Sequence, residues 1–520
     1  MQLDSIASEA GTSIVLSTLN ARYIHSAFGL RYLHANLAEM QDQCVIEEFT
    51  LESRPEDVVE RLLIHRPKII GFGVYIWNVV QTEQVIALLR AVAPDIVVVL
   101  GGPEVSHEIE DQSIVKLADH IITGWGEVSF TQLARALLAG EEAVDGISSE
   151  KVINGEQAKL DLIKMPYTLY DEDDINNRVL YVEASRGCPF KCEFCLSALD
   201  KTAWPFDLDF FLEQMDGLYL RGARHFKFVD RTFNLKVKNS LRILQFFLDR
   251  MNDDLFLHFE VIPDHLPDAL KDMIAKFPKG SLQFEIGIQT FNPQVQARIS
   301  RRQDNEKAKQ NISWICQHSN AYVHADLIFG LPGESLESFA DSFDQLHALS
   351  PHEIQVGILK RLKGSPIVRH TLAHKLVFNP NPPFSIVSSD CISYHDVQNI
   401  NRFARYWDLI GNSGRFSETL KLILREQPFA NFSVISSGVF TRTGQTHKIS
   451  LLRLYDLVFN IASEDLDIDR VSLRSAIETD HSKSGLKSFP KCLIGADTKL
   501  KASAAKISEK NRHNSRQARH

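Results

Sequence analysis

Three cysteines stand within eight residues in the run Glu183-Ala-Ser-Arg-Gly-Cys188-Pro-Phe-Lys-Cys192-Glu-Phe-Cys195. The spacing C-x3-C-x2-C puts three thiols on one loop, directly after a strand-like segment, Val179 to Ala184. Iron-sulfur cubanes normally take four cysteine thiolates, so three leave one iron with an open position. A small molecule offering an amine and a carboxylate can occupy that corner, and an electron from the reduced cluster can then enter a neighbouring bond. A zinc site is the competing reading, and three inert buried thiols a further one. Structural zinc usually asks for four ligands, commonly with a second C-x2-C or an H-x3-5-H pair, whereas Cys44, Cys316, Cys391 and Cys492 are isolated.

Such a loop needs a scaffold, and an alternating β/α series beginning near residue 175 supplies one. Its strands are expected at Val179 to Ala184, His225 to Val229, Phe256 to Val261, Leu282 to Ile288, Tyr322 to Phe329 and Glu353 to Leu359, each followed by a helix-like stretch. Six such units suggest a partial (βα)6 barrel with functional residues on its C-terminal rim. Ahead of it, β-rich runs at Ser13 to Leu19, Val45 to Leu51, Lys68 to Tyr75, Asp95 to Leu100 and His120 to Thr123 alternate with helical patterns such as Pro55 to His65 and Thr82 to Ala93. Continuous apolar runs such as Ile96 to Leu100 are typical of parallel strands buried on both faces, so this part reads as a doubly wound, Rossmann-like sheet. Ligands of such sheets bind at the carboxyl ends of the strands. Those ends carry Asn20 to Gly29, Gly101-Gly102-Pro103-Glu104 and Gly124-Trp125-Gly126-Glu127, where glycine lets backbone approach a ligand. The polar stretch Gly140 to Asn177 reads as an exposed linker. From Asp396 the strand signal fades, and Asn401 to Ile410 and Ser417 to Leu424 read as amphipathic packing helices. The expected fold is α/β, with units at 12–140, 175–395 and a mainly helical 396–495, then a disordered basic tail at 496–520.

The cysteine spacing, with aromatic Phe194 before the third cysteine, resembles the hallmark of the radical S-adenosylmethionine (SAM) superfamily. That resemblance implies a 4Fe-4S cluster on Cys188, Cys192 and Cys195, with SAM on the unique iron and reductive cleavage to methionine and a 5'-deoxyadenosyl radical. It further implies that Phe194 lies against the adenine. Asp230, in Phe228-Val-Asp-Arg-Thr-Phe-Asn234, stands where relatives handle the amino group of SAM, commonly through a Gly-Gly-Glu type motif. Gln289, with Arg301 or Arg302 after it, resembles the ribose and carboxylate contact region. Gly330 and Gly333, in Ile328-Phe-Gly-Leu-Pro-Gly-Glu334, resemble the adenine-contacting segment, whereas Glu334 itself reads as a helix cap. Lys360 to Pro366 resembles the closing strand, and Glu260 and Asp264 face the same rim.

The preceding domain resembles the cobalamin-binding domain of cobalamin-dependent radical SAM enzymes, through Asn20 to Gly29 and the glycine-rich ends that contain Gly101, Gly102, Glu104, Gly124 and Glu127. The two resemblances together span about Ser13 to Leu376. The D-x-H-x-x-G ligand motif of many cobalamin domains is lacking: no aspartate precedes His25, and Gly29 lies one residue too far on. His25 is therefore expected to form a hydrogen bond or a cap rather than bind cobalt. Methylthiotransferases also place an α/β domain first, but theirs supplies three cysteines for a second cluster, where this one supplies only Cys44. The resemblance implies cobalamin-dependent methyl transfer to an unactivated carbon of a small-molecule substrate, fed by a flavodoxin- or ferredoxin-type reductant. Oxidative cyclisation or rearrangement, a corrinoid-free radical SAM reaction, and a non-catalytic corrinoid or redox sensor are the alternatives.

Composition limits the remaining classes. The 520-residue chain is 44% hydrophobic and 24% charged, with a net charge of −9. No apolar run approaches the ~18 residues that cross a bilayer, so no membrane partner is expected. Nor is nucleic acid, because phosphate contacts need clustered Lys and Arg. The exception is the tail, where Lys499, Lys501, Lys506, Lys510, Arg512, Arg516 and Arg519 face Glu509 alone. Seven cysteines, three of them clustered, and an acidic N-terminus lacking an apolar leader point to the reducing cytoplasm.

Overall fold

The computed structural model describes residues 11–140 and 147–494. The basic tail expected at 496–520 lies outside them. The first domain is built on β1 (Ile14–Asn20), β2 (Cys44–Thr50), β3 (Ile69–Gly73), β4 (Val97–Gly101), β5 (His120–Thr123) and β6 (Val152–Asn154). All pair in parallel, in the order β2-β1-β3-β4-β5-β6. Alternation along each strand sends side chains to two cores. Val15, Ile70 and Val98 meet α2 (Pro55–Ile64), α3 (Val79–Val92) and α4 (Ser113–Leu117), while Ile14, Ile69 and Val99 meet α1 (Phe28–Ala35) and α5 (Glu127–Ala139). The strand order reverses between β1 and β3, which opens a crevice at the carboxyl ends of the strands there.

Of the stretch expected to be an exposed linker, the described residues 147–177 are instead folded. β6 closes the first sheet, with Ile121 paired to Val152, and Leu160, Ile163, Met165, Tyr167 and Tyr170 are buried. Its apolar residues are spaced without a period because they fill gaps between two domains, so no helix or strand pattern betrays them. A short α6 (Glu172–Asn177), capped by Asp171, follows.

The second sheet has six parallel strands: β7 (Leu180–Val182), β10 (His225–Phe228), β11 (Phe256–Val261), β12 (Leu282–Gln289), β13 (Tyr322–Phe329) and β14 (Glu353–Ile358), paired in sequence order. β14 and β7 do not pair, so the barrel stays open. Between β7 and β10, the two-residue strands β8 (Ser185–Arg186) and β9 (Trp204–Pro205) form a ribbon that brackets the cysteine loop. Period-two alternation puts Leu257, Phe259, Phe284, Ile286, Val323 and Ala325 in the outer core. Against it pack α7 (Leu208–Leu220), α8 (Val237–Leu248), α9 (Asp268–Ile274), α11 (Asn305–His318) and α12 (Leu336–Ala348), with the short α10 (Pro293–Arg298) at the rim. The opposite face, carrying Lys227, His258, Glu260, Glu285 and Asp326, is polar.

The last five α-helices among the described residues are α13 (Tyr394–Tyr406), α14 (Ser417–Leu424), α15 (Pro428–Thr443), α16 (Leu451–Glu464) and α17 (Arg470–Lys483). They extend the same core: Phe343 of α12 meets Phe403 at 5.2 Å and Trp407 at 4.9 Å, ring to ring. Trp407 and Tyr406 are thus packing residues, as the amphipathic pattern implies.

Candidate active site

The cysteine loop hangs from β8. Gly187 adopts φ +94°, and a Cβ there would lie 2.8 Å from the Thr202 carbonyl, so the turn into Cys188 admits only glycine. The backbone N–H of Cys188 donates to Asp200 (3.0 Å) and that of Cys195 to Cys192 (3.2 Å). All three thiols are free and line one cavity of about 250 Å³ at the C-terminal mouth of the barrel. Among the described residues no three His, Cys, Asp or Glu side chains converge on a point that would take a single ion. A cubane asks something different, three thiolates on three separate irons. Burial pushes the Cys188 and Cys192 thiols up; a backbone hydrogen bond from Phe190 opposes it at Cys188, and Arg301, whose Nη1 is 3.6 Å from Cys192 Sγ, opposes it at Cys192.

The cavity wall opposite the loop fits a hydroxyl- and amine-bearing ligand. Gln289 sits at φ +70°, a strained region for glutamine, and its Oε1 is buried without a partner. Strain of ~1–3 kcal/mol and an unmet acceptor of ~1–3 kcal/mol therefore coincide at one residue. Gly287 leaves the room that Gln289 and Arg301 occupy. Deeper in the lumen, Glu260 pairs with Arg231 (2.6 Å), Glu285 with His258 (2.9 Å) and Asp326 with His324 (3.1 Å). Burial pushes Glu260 and Asp326 up, Arg231 and His324 opposing it. Glu285 is held low because His258 and Lys227 overcome the effect of burial.

Cys188, Cys192, Phe194, Cys195, Gln289 and Arg301 share this cavity. Several residues expected beside them stand elsewhere. Asp230 turns away from the cavity and is buried, accepting from Ala184 N–H (3.0 Å) and Ser185 Oγ (2.6 Å), so it braces the ribbon rather than offering itself to an amino group. Gly330 and Gly333 do not line it. The backbone is left-handed at both, φ +95° and +68°, and a Cβ on Gly330 would also lie 2.6 Å from Ile386 Cγ2, so local conformation accounts for these glycines. Glu334 is no cap either: Ser335 caps α12, and the buried Glu334 carboxyl, pushed up to about 7 by burial, accepts from Thr290 Oγ1.

A second cavity, about 330 Å³, opens at the carboxyl ends of β3, β4 and β5. Gly29, Gly101, Gly102, Gly124 and Glu127 line it, with Leu30, Phe72, Val99 and Phe130 as apolar wall. Gly102 has φ +104°, and a Cβ would lie 2.5 Å from Val74 O; at Gly124 nothing stands within 4 Å of one. A bare backbone rim over an apolar wall fits a bulky, largely apolar ligand that lies close against strand ends. Glu104 is not part of it. Its buried carboxylate pairs with Lys363 Nζ at 2.7 Å, across to the barrel. His25 also lies outside, its Nδ1 2.7 Å from Tyr181 Oη, and the lining contains no histidine.

Known families match these parts in the same order. The model described as "B12 binding domain" matches residues 14–134, and that described as "Radical SAM superfamily" matches 182–346. The chain is a radical SAM enzyme with a B12-binding domain ahead of the barrel. Its C-terminal part, 373–519, matches a family described only as "Protein of unknown function (DUF4080)". The enzyme is 26% identical over 380 residues to an uncharacterized methyltransferase of Pyrococcus horikoshii, covering 68% of this chain and 80% of that one. It is 24% identical over 335 residues to the cobalamin-dependent radical SAM methyltransferase TokK of Streptomyces tokunonensis, covering 58% of this chain and about half, 48%, of TokK. In fold it is similar to the cobalamin-dependent SAM radical enzyme OxsB, with a TM-score of 0.60 at 14% identity over 91% of this chain and 84% of that one. The B12-binding and radical SAM matches together give this radical SAM enzyme three cofactors: a 4Fe-4S cluster, SAM and cobalamin.

Two residues in the cysteine segment escaped notice in the sequence. Arg186 reaches the second cavity, and Glu193 anchors the loop between Cys192 and Cys195. Both lie inside the motif, and a charged residue held beside three thiols is a signal that was available.

Proposed function

We propose that this radical SAM enzyme carries out cobalamin-dependent methyl transfer to an unactivated carbon of a polar small molecule. When bound, the cluster and SAM supply a carbon-centred radical and the corrinoid a methyl group, the hard chemistry belonging to the cofactors. The chain's own part is placement. Cys188, Cys192 and Cys195 hold the cluster, leaving one iron corner to SAM, and Gln289 and Arg301 receive the SAM body. Gly101, Gly102 and Gly124 would admit the corrinoid, and no histidine lines that cavity. The charged lumen, with Glu260, Glu285 and Asp326, turns a polar substrate toward the cluster.

One observation carries the reading: the three-thiol cavity and the glycine-rimmed cavity belong to adjacent domains, and Arg186, which lines the second, stands two residues before Cys188, which lines the first. No helix of the described residues is long and apolar enough to cross a membrane. The free thiols suit the reducing cytoplasm, where a flavodoxin- or ferredoxin-type protein would deliver electrons.

The test is anaerobic reconstitution with iron, sulfide and hydroxocobalamin, followed by turnover of cell-extract metabolites with methyl-labelled SAM. Label in a product supports the reading. Abundant 5'-deoxyadenosine with an unlabelled product would replace it by cyclisation or rearrangement.

A further inference from the structure

Two polar bridges run from the loops that rim the glycine-lined cavity to the two flanks of the cysteine loop. The first is Arg186, two residues before Cys188. Its Nη1 donates to Glu127 Oε1 at 2.6 Å and its Nη2 to Glu183 Oε1 at 2.6 Å. The rings of Trp125 and Tyr32 lie 4.6 and 4.8 Å from the guanidinium carbon. The three charged side chains keep only 16%, 9% and 7% of their surface exposed, so water does little to screen them. Glu127 opens α5 directly after Gly124-Trp125-Gly126, the turn that ends β5. The second bridge starts from the loop after β4. Glu104 pairs with Lys363, and Glu108 with Arg361 (2.6 Å) and Gly364 N–H (3.0 Å). A few residues on, Ile367 N–H donates to the Glu193 carbonyl at 2.9 Å, and His370 Nε2 lies 2.7 Å from the Glu193 carboxylate.

We propose that Arg186 is a positioning residue that couples the two cofactor sites, so that a corrinoid in the glycine-rimmed cavity tightens SAM at the cluster. Occupation of that cavity fixes the turn 124–127. The planar fork of Arg186 grips this turn through Glu127 and is held between rings, so it has one geometry to adopt. The strand from which Cys188 hangs is thereby fixed as well. A lysine would keep the charge and lose the fork. Because coupling between binding sites is reciprocal, SAM must tighten the corrinoid by the same factor.

This inference rests on the cofactor reading above, and its test separates the two. Cluster-loaded enzyme is titrated with SAM, with and without hydroxocobalamin, and with hydroxocobalamin, with and without SAM. Cluster EPR and the visible corrinoid spectrum report binding. In the wild type each ligand should tighten the other on the order of fivefold or more. In R186K and in E127Q, matched to the wild type in iron per chain, both factors should fall toward one by the same proportion, whatever each variant's own affinity for either ligand. E127Q lies outside the cysteine loop and serves if R186K fails to load its cluster. Equal factors in the wild type and the variants, or a wild-type factor of one with both ligands bound, would overturn the coupling. A wild type that retains no corrinoid at all would overturn the functional reading and the coupling with it.

Discussion

Replacing Glu193 by alanine should loosen the cluster without touching a cysteine. The Glu193 carboxylate is 3% exposed and accepts from Ser300 Oγ, from His370 Nε2 at 2.7 Å and from Arg369. Arg369 is 59% exposed, and a pair that open to water contributes little. The other two are sheltered, and a hydrogen bond to a charged acceptor is worth ~1.5–3 kcal/mol. Together they put about 3–6 kcal/mol on holding the loop, close to the ~3–5 kcal/mol lost when a buried pair is broken. The backbone bonds of Glu193 to Ile299 and Ile367 survive the substitution, so the lower figure is the better guide. At about 1.4 kcal/mol per tenfold, 3 kcal/mol raises the displaced-loop population about 100-fold. The assay is the rate at which a chelator strips iron from the reconstituted protein under anaerobic conditions. E193A should lose iron about 100-fold faster than the wild type, and E193Q, which keeps one acceptor oxygen, should fall between them. Identical release rates with an unchanged EPR signal would refute the assignment of Glu193 as the loop's anchor.

Two further substitutions probe buried charge. Arg31 meets Glu48 (2.9 Å) and Asp174 (2.6 Å), and Arg178 meets the same two acids (2.7 and 3.2 Å). R31L leaves two carboxylates facing one guanidinium and should cost about 3–5 kcal/mol in denaturant unfolding at pH 7. Burial pushes Glu48 up, but Arg31 and Arg178 overcome it and hold its carboxyl below 4.5. The wild type's advantage is therefore full above 4.5 and lost as pH falls through the folded value; a gap of constant size all the way to acid unfolding would contradict it. Asp230 is the opposite case, pushed up to about 7 by burial against the pull of Ser185 and Ala184 from an ordinary 3.8. A folded value above the unfolded one means that stability falls as pH rises from 3.8 to 7, by up to about 4 kcal/mol. In D230N that slope should be absent from a plot of Tm against pH, and a slope equal to the wild type's would assign it to another group.

The parallel sheets and the cysteine loop were legible because each has a local signature. Buried parallel strands write unbroken apolar runs such as Val97 to Leu100, and the expected β5, β11 and β13 coincide with the observed strands at both ends. The thiols share one short segment. The remainder of the site depends on where side chains turn, which sequence spacing does not encode. Asp230 and Arg231 are neighbours just beyond the end of β10, yet the chain points Arg231 into the cavity and Asp230 beneath the ribbon. Gly330 and Gly333 look like ligand-approach glycines, and it takes their left-handed backbone, with Ile386 packed against Gly330 from 56 residues away, to explain them. Glu104 sits in a glycine-rich strand end as a ligand contact would, but its partner Lys363 lies more than 250 residues further on.

One group of buried charges in this enzyme lies where the first domain meets the barrel and the segment leading into it. Arg31 and Glu48 of the first domain meet Asp174 and Arg178, Glu127 meets Arg186, and Glu104 meets Lys363. Desolvation offsets much of the attraction in such pairs, so an apolar junction of similar volume would be as stable or more so. Stability is then a poor reason for them, and geometry is a better one. Apolar surfaces tolerate sliding because their attraction has no direction, whereas a guanidinium fork between carboxylates fixes both distance and rotation. An enzyme whose cluster sits on one domain and whose corrinoid sits on the other depends on that registration, because the substrate must meet both.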